Sequence, residues 1–425
     1  MEKKFRAAGI IAEYNPFHRG HSYHINQTRT LAGADYVVVV MSGDFVQRGE
    51  PAIVDKYLRT RMALAGGADL VIELPVAWAT ASAEDFAQAG TAVLDSLGVI
   101  DRLSFGTEST TVGQMLPIAR ILAWEPEPFR ILLQERIRSG MSFPAAREQA
   151  LIQYLEGDPD YDADQIHKML GKANNILGLE YMKALIRRSS PMEPLAVRRQ
   201  GADYHETGLD RDYPSATGIR HFLEMGGLEE KSDPAAALQA LTGLERGLAE
   251  ELADRWRCSD RADWHRLMAL LDYQILYSDL TGVLGLDPDL AGTIRRRHRP
   301  GMSFEELVGV LHARQRTDTA LKRALLHLVL RIGDKRLDLS EKGSVFPYIR
   351  ILGFRKTAGE LLSAIRSCCP APVLQKYADR KLLTEESARY YYRMDIQSES
   401  LYEQIAARSC GRRPVHVGKR QQVIF

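Results

Sequence analysis

Short apolar runs alternate with longer amphipathic segments over roughly the first two hundred residues of the chain. The apolar runs are Ala7 to Glu13, Asp35 to Met41, Ala68 to Leu74 and Arg102 to Thr107. The segments between them, near 17–31, 54–65 and 83–97, have the length and spacing of helices. Strands that are apolar on both faces are typical of a parallel sheet covered by helices. The pattern therefore predicts an α/β fold with a doubly wound parallel sheet at the N-terminus.

The later part of the chain has mainly helical periodicity. It begins at about Val112, and a short apolar stretch, Glu193 to Val197, is a candidate for one more strand of the sheet. The link Gly226-Gly227 and the acidic run after it suggest a boundary. We therefore predict a catalytic domain over residues 1–225 and a mostly helical region over residues 226–425.

Composition limits the class of protein. The chain has 425 residues, of which 45% are hydrophobic and 26% charged, which excludes a disordered or collagen-like chain and allows two or three cores. No apolar run reaches the roughly 18 residues of a membrane span, and the start has no cleavage pattern, so we expect a cytoplasmic protein. The four cysteines have no metal-ligand spacing and predict reduced thiols: Cys258, Cys368, Cys369 and Cys410.

The net charge of +1 hides an asymmetry between the two ends of the chain. Residues 291–425 contain 26 Lys and Arg against 13 Asp and Glu, whereas residues 1–290 contain 30 against 42. A basic C-terminal third indicates a surface for a polyanion such as nucleic acid. Charge alone leaves a second interpretation open, in which these residues are solvated helix faces.

The segment NPFHRGH follows the first predicted strand and begins the first helix. We expect Asn15 to cap this helix and Pro16 to occupy its first turn. His18 and His21 then lie on one helix face, and Gly20 lets a ligand approach the backbone. Helix N–H groups and imidazole donors favour a triphosphate at this position. On spacing alone, the two histidines could instead bind zinc or cap the helix.

A second segment, Ser215 to Arg220 with the sequence SATGIR, combines hydroxyl donors with a guanidinium that can bind phosphate. By itself this pattern is more typical of an ordinary helix cap. Together, NPFHRGH resembles the HxGH signature of the nucleotidylyltransferase superfamily and SATGIR resembles its second, Ser/Thr-rich signature. That resemblance implies a Rossmann-like fold, ATP as substrate and a second motif that contacts the departing phosphates.

A narrower resemblance extends over nearly the whole chain. EYNPFHRGHSYH, SGDFVQRGEPAIVDKYLRTRMAL, LSFGTES, NNILGLEYM, YHE and PYIRILGF are similar to segments of the bacterial tRNA(Met) cytidine acetate ligase family. The family resemblance implies that ATP activates acetate as acetyl-adenylate, with release of pyrophosphate. The acetyl group then passes to N4 of the wobble cytidine of elongator tRNA(Met), and AMP is released. The family pattern often has a proline before the asparagine pair, whereas this chain has Ala173.

The catalytic residues that we predict are His18, His21, Ser215 and Arg220. The resemblance implies an ATP-binding set of Ile11, Ala12, Glu13, Tyr14, Asn15, Pro16, Phe17, His18, Arg19, Gly20, His21, Ser22, Tyr23, His24, Gly106, Asn174, Asn175, Arg198 and Arg199. Gly106 also follows from its position, because a missing Cβ at the end of a strand lets a nucleotide pack on the backbone. The asparagine pair could read adenine or ribose, or simply cap a helix.

Further candidates lie outside these motifs. Lys56 could reach a phosphate or be exposed, and the loop Gly43 to Glu50 could hold the acyl acceptor or close over the site. The C-terminal region offers basic groups that could bind RNA phosphates: Arg295, Arg296, Arg297, Arg299, Arg350, Arg355, Lys356, Arg412, Arg413, Lys419 and Arg420. Aromatic residues lie between them, and the cluster Tyr390 to Tyr392 could stack on unpaired bases or belong to a helix core.

Two other functions remain compatible with the motifs. An adenylyltransferase that makes a small nucleotide cofactor would use the same HxGH chemistry, although such enzymes are commonly compact. A non-catalytic RNA-binding module on an inactive nucleotide fold is disfavoured by the intact motifs. We expect no metal ligands from the protein and Mg²⁺ bound through the phosphates of ATP, since Mg²⁺ keeps several waters.

Overall fold

A computed structural model of the chain describes residues 4–108, 110–159, 161–199, 214–313 and 316–425. Its strands in chain order are β1 (Ala7–Ala12), β2 (Tyr36–Ser42), β3 (Phe45–Val46), β4 (Glu50–Pro51), β5 (Leu70–Leu74), β6 (Arg102–Thr107), β7 (Glu193–Arg198), β8 (Ile349–Phe354), β9 (Val373–Leu374) and β10 (Val423–Ile424). Each of the five predicted strands is confirmed, with bounds that differ by two residues at most.

The helices follow the same alternation up to β7 and dominate the chain beyond it. They are α1 (Arg19–Ala32), α2 (Lys56–Ala65), α3 (Val76–Ala79), α4 (Ala83–Ser96), α5 (Val112–Trp124), α6 (Glu127–Arg138), α7 (Phe143–Tyr154), α8 (Ala163–Leu170), α9 (Ala173–Arg188), α10 (Ala216–Glu224), α11 (Pro234–Thr242), α12 (Arg246–Arg257), α13 (Trp264–Tyr277), α14 (Pro288–Arg297), α15 (Phe304–Leu311), α16 (Asp318–Leu330), α17 (Gly359–Cys368) and α18 (Glu386–Ser409).

The order of the strands indicates the edge of the sheet at which a ligand is expected to bind. The parallel strands lie in the order β5-β2-β1-β6-β7. After β1 the chain adds β2 and β5 on one side, and it then crosses back to add β6 and β7 on the other side of β1. This is the doubly wound arrangement, and its switch point lies between β1 and β6. Ligands of such folds bind outside the carboxyl ends of the strands at that point. The fold class that the sequence predicts is therefore confirmed.

Strand β2 shows why the sheet needs helices on both faces. Its side chains alternate, with Val38 and Val40 in one core and Val37, Val39 and Met41 in the other. The first core contains side chains of α4 and α9, and the second contains side chains of α1, α2 and α10–α12. A strand that is apolar at every position buries both faces, which explains why its sequence is continuous valine rather than an alternating pattern.

Two glycines let α4 lie unusually close to β1. A Cβ on Gly9 would lie 2.6 Å from Leu94 of α4, and a Cβ on Gly90 of α4 would lie 2.6 Å from Ile11. The contacts are reciprocal, so neither glycine can gain a side chain without displacing the partner element. This close packing fixes the position of the carboxyl end of β1, where the candidate site begins.

The C-terminal region completes the same sheet, a feature that the sequence did not predict. Strand β8 lies antiparallel beside β5, and β9 and β10 pair with β8. The sequence PYIRILGF that contains β8 was noted only as part of a resemblance. Its arginine interrupts the apolar run, so periodicity alone does not distinguish it from a helix segment. The remainder of the region after residue 226 is mostly helical, as predicted.

A buried ion-pair cluster joins the C-terminal region to the N-terminal strands. The Lys56 ammonium lies 2.5 Å from Glu73 and 2.8 Å from Glu399 of α18, and Arg350 of β8 pairs with the same two carboxylates at 2.9 and 2.8 Å. Although burial favours its neutral form, Lys56 and Arg350 lower the pKa of Glu399 to about 2. Removing one partner of such a cluster leaves an uncompensated buried charge.

In the part of the chain that the structure describes, there is no helix that combines the length and the apolar character needed to cross a membrane.

Gly90→Ala tests the close packing of α4 on β1. We expect it to lower the free energy of unfolding by about 1–3 kcal/mol, because the new methyl group must displace Ile11. Gly247→Ala is the matched control, since Gly247 also lies in a helix and a Cβ there meets nothing within 4 Å. It should be neutral or stabilising by up to about 1 kcal/mol. Urea unfolding of both variants provides the measurement, and an unaltered stability of Gly90→Ala contradicts the packing argument.

Candidate active site

A cleft opens at the carboxyl ends of β1 and β6, where the strand order predicts a ligand. Its volume is about 1170 Å³, including the open space above it. Most of the predicted ATP-binding residues line it: Ile11, Ala12, Glu13, Tyr14, Asn15, His18, Gly20, His21, Tyr23, His24, Gly106, Asn174, Arg198 and Arg199. Arg220 of the second motif lines it as well. The two sequence motifs, about 200 residues apart, therefore meet in one cavity.

The start of helix α1 differs from the sequence prediction. The N-cap is His18 rather than Asn15, and Pro16 precedes the helix instead of occupying its first turn. The buried amide of Asn15 instead accepts a hydrogen bond from the Ile53 N–H at 2.9 Å. The prediction was wrong because asparagine is a common N-cap and histidine is not, so propensity favoured the earlier start.

His18 and His21 cap α1 reciprocally. The Nδ1 atom of His18 accepts a hydrogen bond from the Gly20 N–H at 3.0 Å, and the Nδ1 atom of His21 accepts one from the His18 N–H at 3.2 Å. A nitrogen that accepts a hydrogen bond carries no proton, so in each neutral ring the proton resides on Nε2. The ring centroids are 3.8 Å apart. The caps therefore present two Nε2–H donors side by side at the cleft.

Burial keeps the histidines of the cleft neutral. Desolvation, with Arg199 and Arg220 nearby, lowers the pKa of His18 from 6.5 to about 3. Desolvation and then the neighbouring His18 lower the pKa of His21 well below its usual value. His24, one turn further along α1, has its pKa lowered to about 4 by burial and Arg199, and its Nε2 lies 3.0 Å from Ser104 Oγ. At neutral pH the rings are hydrogen-bond donors without charge.

Gly20 has a second role beyond the predicted backbone access. A Cβ at this position would lie 2.9 Å from Cε1 of His18. Any side chain would push the His18 ring out of the geometry in which its Nδ1 accepts the Gly20 N–H. The glycine of the HxGH sequence is therefore needed for the capping arrangement itself.

The second motif begins helix α10 and aims its arginine at the first motif. Ser215 is the N-cap, with its hydroxyl accepting the Gly218 N–H at 2.9 Å. Arg220 donates to the backbone oxygen of Asn15 at 2.6 Å and to Thr217 Oγ1 at 3.3 Å. Ser215 itself is buried and is not among the residues lining the cleft. Its observed role is to start the helix that positions Arg220.

The hairpin β3–β4, within the predicted Gly43 to Glu50 loop, bridges the two motifs. Gln47 donates its backbone N–H to the carboxylate of Glu13 at 2.7 Å, and Arg48 donates to Thr217 Oγ1 at 3.1 Å. Both Gln47 and Arg48 line the cleft. Burial raises the pKa of Glu13, opposed by Arg48 and the Gln47 N–H. A role of the loop in holding the acyl acceptor stays a prediction.

The far end of the cleft is suited to a nucleoside. Gly106 lies next to the side chain of Arg199. An apolar wall is formed by Phe105, Leu177, Tyr181 and Val197. Asn174 donates a close hydrogen bond to Glu108, whereas Asn175 is fully buried and accepts the Glu108 N–H at 3.1 Å. Asn174 thus faces the cleft, and Asn175 orders the loop after β6. Ala173 is simply the first residue of α9.

Several predicted residues lie elsewhere. Lys56 is buried in the ion-pair cluster, so it neither contacts the cleft nor is exposed. The lining does not include Pro16, Phe17, Arg19, Ser22, Asn175 or Ser215. Phe17 packs beneath His21 with ring centroids 5.5 Å apart, and Arg19 is exposed with its side chain against Gly243. The YHE segment, 204–206, and Ser109 lie outside the described residues.

The apolar wall of the cleft was not predicted from the sequence. Phe86, Phe105, Leu177 and Tyr181 line it together with Val197. Leu177 and Tyr181 are four residues apart on α9, a spacing that places them on one face, but a buried core helix gives the same pattern. No sequence signal separates the two cases.

Among the residues that the structure describes, no group of three or more His, Cys, Asp or Glu side chains could hold a metal ion.

This fold, with paired histidines at the end of β1 and a capped arginine helix opposite, defines a nucleotidyl transferase of the HxGH type. Residues 5–414 match the family model described as HIGH Nucleotidyl Transferase. The chain is 35% identical over 397 residues to the tRNA(Met) cytidine acetate ligase of Acetivibrio thermocellus, covering 93% of this chain and 94% of that protein. It is 37% identical over 376 residues to the protein of the same name from Thermoanaerobacter sp., covering 88% and 89%. The chain belongs to the tRNA(Met) cytidine acetate ligase family.

Solved structures agree with this assignment. The crystal structure of apo TmcAL from Thermotoga maritima is 28% identical, covers 99% of both chains and has a TM-score of 0.87. A crystal structure of the same protein bound with alpha-thio ATP is also 28% identical over 99% of both chains, with a TM-score of 0.85. Nucleotide binding is thus known for a protein with the fold of this chain.

The depressed pKa of His18 predicts acid sensitivity with a definite sign. An unfolded imidazole takes up a proton below pH 6.5, whereas folded His18 stays neutral to about pH 3, so stability falls as the pH drops from 7 towards 4. His18→Asn keeps an N-cap acceptor but cannot titrate. Its unfolding free energy, measured in urea at pH 7, 6 and 5, should fall less steeply than that of the unmodified protein, by up to ~1.4 kcal/mol per pH unit.

His167→Asn provides the control for this measurement. His167 is exposed, and Glu148 raises its pKa, so the folded protein binds this proton more tightly and gains stability from it at low pH. In His167→Asn, the free energy of unfolding should therefore fall with decreasing pH as steeply as in the unmodified protein, or slightly more steeply. Equal slopes for His18→Asn and the unmodified protein would show that His18 is not held neutral.

Proposed function

We propose that the protein is an ATP-dependent ligase that activates acetate as acetyl-adenylate and acetylates N4 of the wobble cytidine of elongator tRNA(Met). The observation that carries the proposal is the meeting of His18, His21 and Arg220 at the carboxyl end of β1. Three nitrogen donors that converge in a cleft beside a nucleoside-sized apolar wall suit a triphosphate. The family membership supports acetate and tRNA as the other substrates.

The first step requires stabilisation of charge, not a covalent enzyme intermediate. An acetate oxygen attacks the α-phosphorus of ATP, and the bond from that phosphorus to the bridging oxygen of pyrophosphate breaks, so negative charge grows on pyrophosphate. We assign the Nε2–H groups of His18 and His21 and the guanidinium of Arg220 as the donors to these oxygens. Because the imidazoles are already fixed by their caps, no reorganisation is needed when charge develops.

The second step transfers the acetyl group. The N4 nitrogen of cytidine forms a bond to the carbonyl carbon of the acetyl-adenylate, the bond from this carbon to the phosphate oxygen breaks, and AMP leaves with the electron pair. The nitrogen releases one proton. Gln47 and Arg48 of the β3–β4 hairpin line the cleft, and we propose that the acceptor approaches on their side.

Mg²⁺ fits the cleft as a partner of ATP rather than of the protein. The lining is rich in nitrogen donors, and the carboxylate of Glu13 already accepts the Gln47 N–H. Hard cations prefer oxygen ligands, so the phosphates and water would supply them. Bound in this way, Mg²⁺ would neutralise charge on the triphosphate.

The tRNA would contact the exposed arginines of α14 and the residues that follow it. Arg295, Arg296, Arg297 and Arg299 are exposed, and the hydrogen bonds that the structure gives them go to oxygens of carbonyl or hydroxyl groups. Other predicted RNA contacts have structural roles instead. Arg350 and Arg412 pair with buried carboxylates, and Arg355 donates to the backbone oxygen of Leu64. Tyr391 and Tyr392 belong to the core.

The division into a catalytic part, 1–225, and an RNA-binding part, 226–425, remains part of this proposal. Strand β8 belongs to the second part but pairs with β5 of the first. Deleting residues 291–425 would therefore remove one edge of the sheet and Glu399, one of the partners of Lys56. Such a truncation would destroy the fold, so point variants are needed to separate nucleotide chemistry from RNA binding.

We propose that the protein acts in the cytoplasm, where tRNA is present.

The direct test supplies ATP, acetate and an elongator tRNA(Met) transcript. We expect AMP, pyrophosphate and N4-acetylcytidine, detected by mass spectrometry of the digested RNA. His18→Asn should lower acetate-dependent ATP–pyrophosphate exchange by about 10²–10³-fold, because it removes one Nε2–H donor while keeping the helix cap. His167→Asn should retain full activity.

Two results would contradict the proposal. Exchange that depends on acetate without acetylation of any base would show that the acceptor is wrong. Nucleotide transfer to phosphopantetheine or nicotinamide mononucleotide, with no dependence on acetate, would favour the cofactor adenylyltransferase instead.

A further inference from the structure

A second cavity lies on the other side of Arg220 from the ATP cleft. Its volume is about 1570 Å³, including its open mouth, and its walls include Glu50, Glu224, Arg261, Trp264, Asp272 and Phe304. We call it the acceptor pocket. Arg220 lines both cavities, and Glu50 lies 3.9 Å from the Arg220 guanidinium. A molecule bound in the acceptor pocket would therefore lie beside Arg220, the side chain that also lines the ATP cleft.

The hairpin is firmly attached to the wall of this pocket. The indole N–H of Trp264 donates to the backbone oxygen of Gly49 at 3.1 Å, and the Trp264 ring stacks on Phe304 with centroids 3.8 Å apart and planes 7° from parallel. A Cβ on Gly49 would lie 2.5 Å from the backbone nitrogen of Arg323, so the hairpin tip lies directly on α16. The pocket is thus a built part of the fold whose position relative to the ATP cleft is fixed.

The carboxylates of Glu50 and Glu224 disfavour a phosphate next to them and favour a group with N–H donors. Partial burial, and then the nearby carboxylate of Glu50, raises the pKa of Glu224. Carboxylates accept hydrogen bonds from exocyclic amines of bases, as Glu and Asp do with N4 of cytosine. A phosphodiester would be repelled from the same two side chains.

One cation in the pocket has a geometry suited to stacking. The Arg261 guanidinium carbon lies 3.7 Å from the centre of the Trp256 ring, and Arg261 also donates to the Trp256 backbone oxygen at 3.0 Å. Burial and the neighbouring Arg266 lower the pKa of Arg261. Unpaired bases stack on aromatic rings and on guanidinium planes of this kind, and a guanidinium edge can donate to the carbonyl oxygen of a pyrimidine.

The basic run of α14 is adjacent in the chain to residues that form the wall of the pocket. His298 follows Arg295–Arg297, is buried, and its Nε2 bonds to Asp272 Oδ1 at 2.6 Å. Asp272 lines the pocket, and so do residues 301–306, which follow the run directly. Exposed arginines outside an acidic pocket match a strand of RNA whose backbone remains outside while one base enters.

We propose that the acceptor pocket binds the unpaired, amine-bearing base that receives the acyl group. This inference rests on the proposed function and adds to it the site of the second substrate. Glu50 and Glu224 accept hydrogen bonds from the exocyclic amine, Arg261 stacks on the base, and the arginines of α14 bind the flanking phosphates. Arg220 is then the point at which the two substrates meet.

Glu224→Gln and Arg261→Gln test the pocket without altering the ATP cleft. Acetate-dependent ATP–pyrophosphate exchange, measured without RNA, should stay within about twofold of the unmodified protein. Acetylation of tRNA at limiting RNA should fall about ten- to a hundredfold, the range expected for loss of one good contact to a base. Glu230→Gln and Arg257→Gln are the matched controls, because both residues are exposed and lie outside the pocket. Neither control should change either step.

The outcomes separate this inference from the proposed function. If the unmodified protein acetylates no cytidine, the proposed function fails whatever the variants do. If it acetylates tRNA and the two pocket variants do so at its rate, the pocket assignment alone is wrong. An equal loss of exchange and acetylation would also overturn it, because the residues would then act through the nucleotide step or the fold.

Cross-linking provides a measurement that needs no substitution. A tRNA with 5-iodocytidine in place of the acceptor cytidine keeps the exocyclic amine and should, on irradiation, cross-link to peptides that contain Trp256, Trp264 or residues 301–306. Cross-links confined to helices remote from the pocket would contradict the assignment.

Discussion

The reciprocal cap at the start of α1 is the constraint on which the site depends. Two backbone N–H groups that any helix leaves unpaired are satisfied by the Nδ1 atoms of His18 and His21. The same hydrogen bonds determine the tautomer of each ring, so local helix chemistry decides which nitrogen faces the cleft. The same two Nδ1 atoms therefore cap the helix and determine which ring nitrogen carries the proton. Both roles require glycine at position 20.

Larger features of the fold support this small one. The close approach of α4 fixes β1, the switch point between β1 and β6 opens the cleft, and Ser215 starts the helix that brings Arg220 to the backbone of Asn15. The buried cluster around Lys56 attaches β8 and α18 to the same sheet. The residues of the cleft and the proposed RNA-binding residues therefore belong to one connected body. A change of α14 or α13 can be expected to affect where RNA lies without moving the histidines.

Much of the architecture was predictable from the sequence, for identifiable reasons. Continuous apolar runs such as 36–42 exclude a half-exposed strand, and a parallel sheet with helices on both faces follows. The motifs gave the ends of β1 and the start of α10. Strand β8 was not predictable, because Arg350 breaks its apolar pattern and its pairing with β5 is set by charges from distant segments. The cap at His18 was missed because histidine rarely has this role.

Individual side chains were harder to predict than elements. Lys56 and Arg350 look from the sequence like solvent-facing or phosphate-binding cations, yet each neutralises the buried carboxylates Glu73 and Glu399. Charge counts along a chain cannot distinguish a cation that pairs internally from one that is available to a ligand. This distinction removes Arg350, Arg355, Arg412 and Arg420 from the predicted basic surface and leaves the exposed arginines around α14 with Lys356, Arg413 and Lys419.

The most direct measurement of the central claim is NMR of the ring nitrogens in histidine-labelled protein at pH 7, with and without an ATP analogue. The account predicts that His18 and His21 are both neutral with the proton on Nε2, and that their Nε2–H signals shift on nucleotide binding more than those of the remote His167. Charged rings, protons on Nδ1, or a bound nucleotide that leaves these two signals unchanged would contradict it.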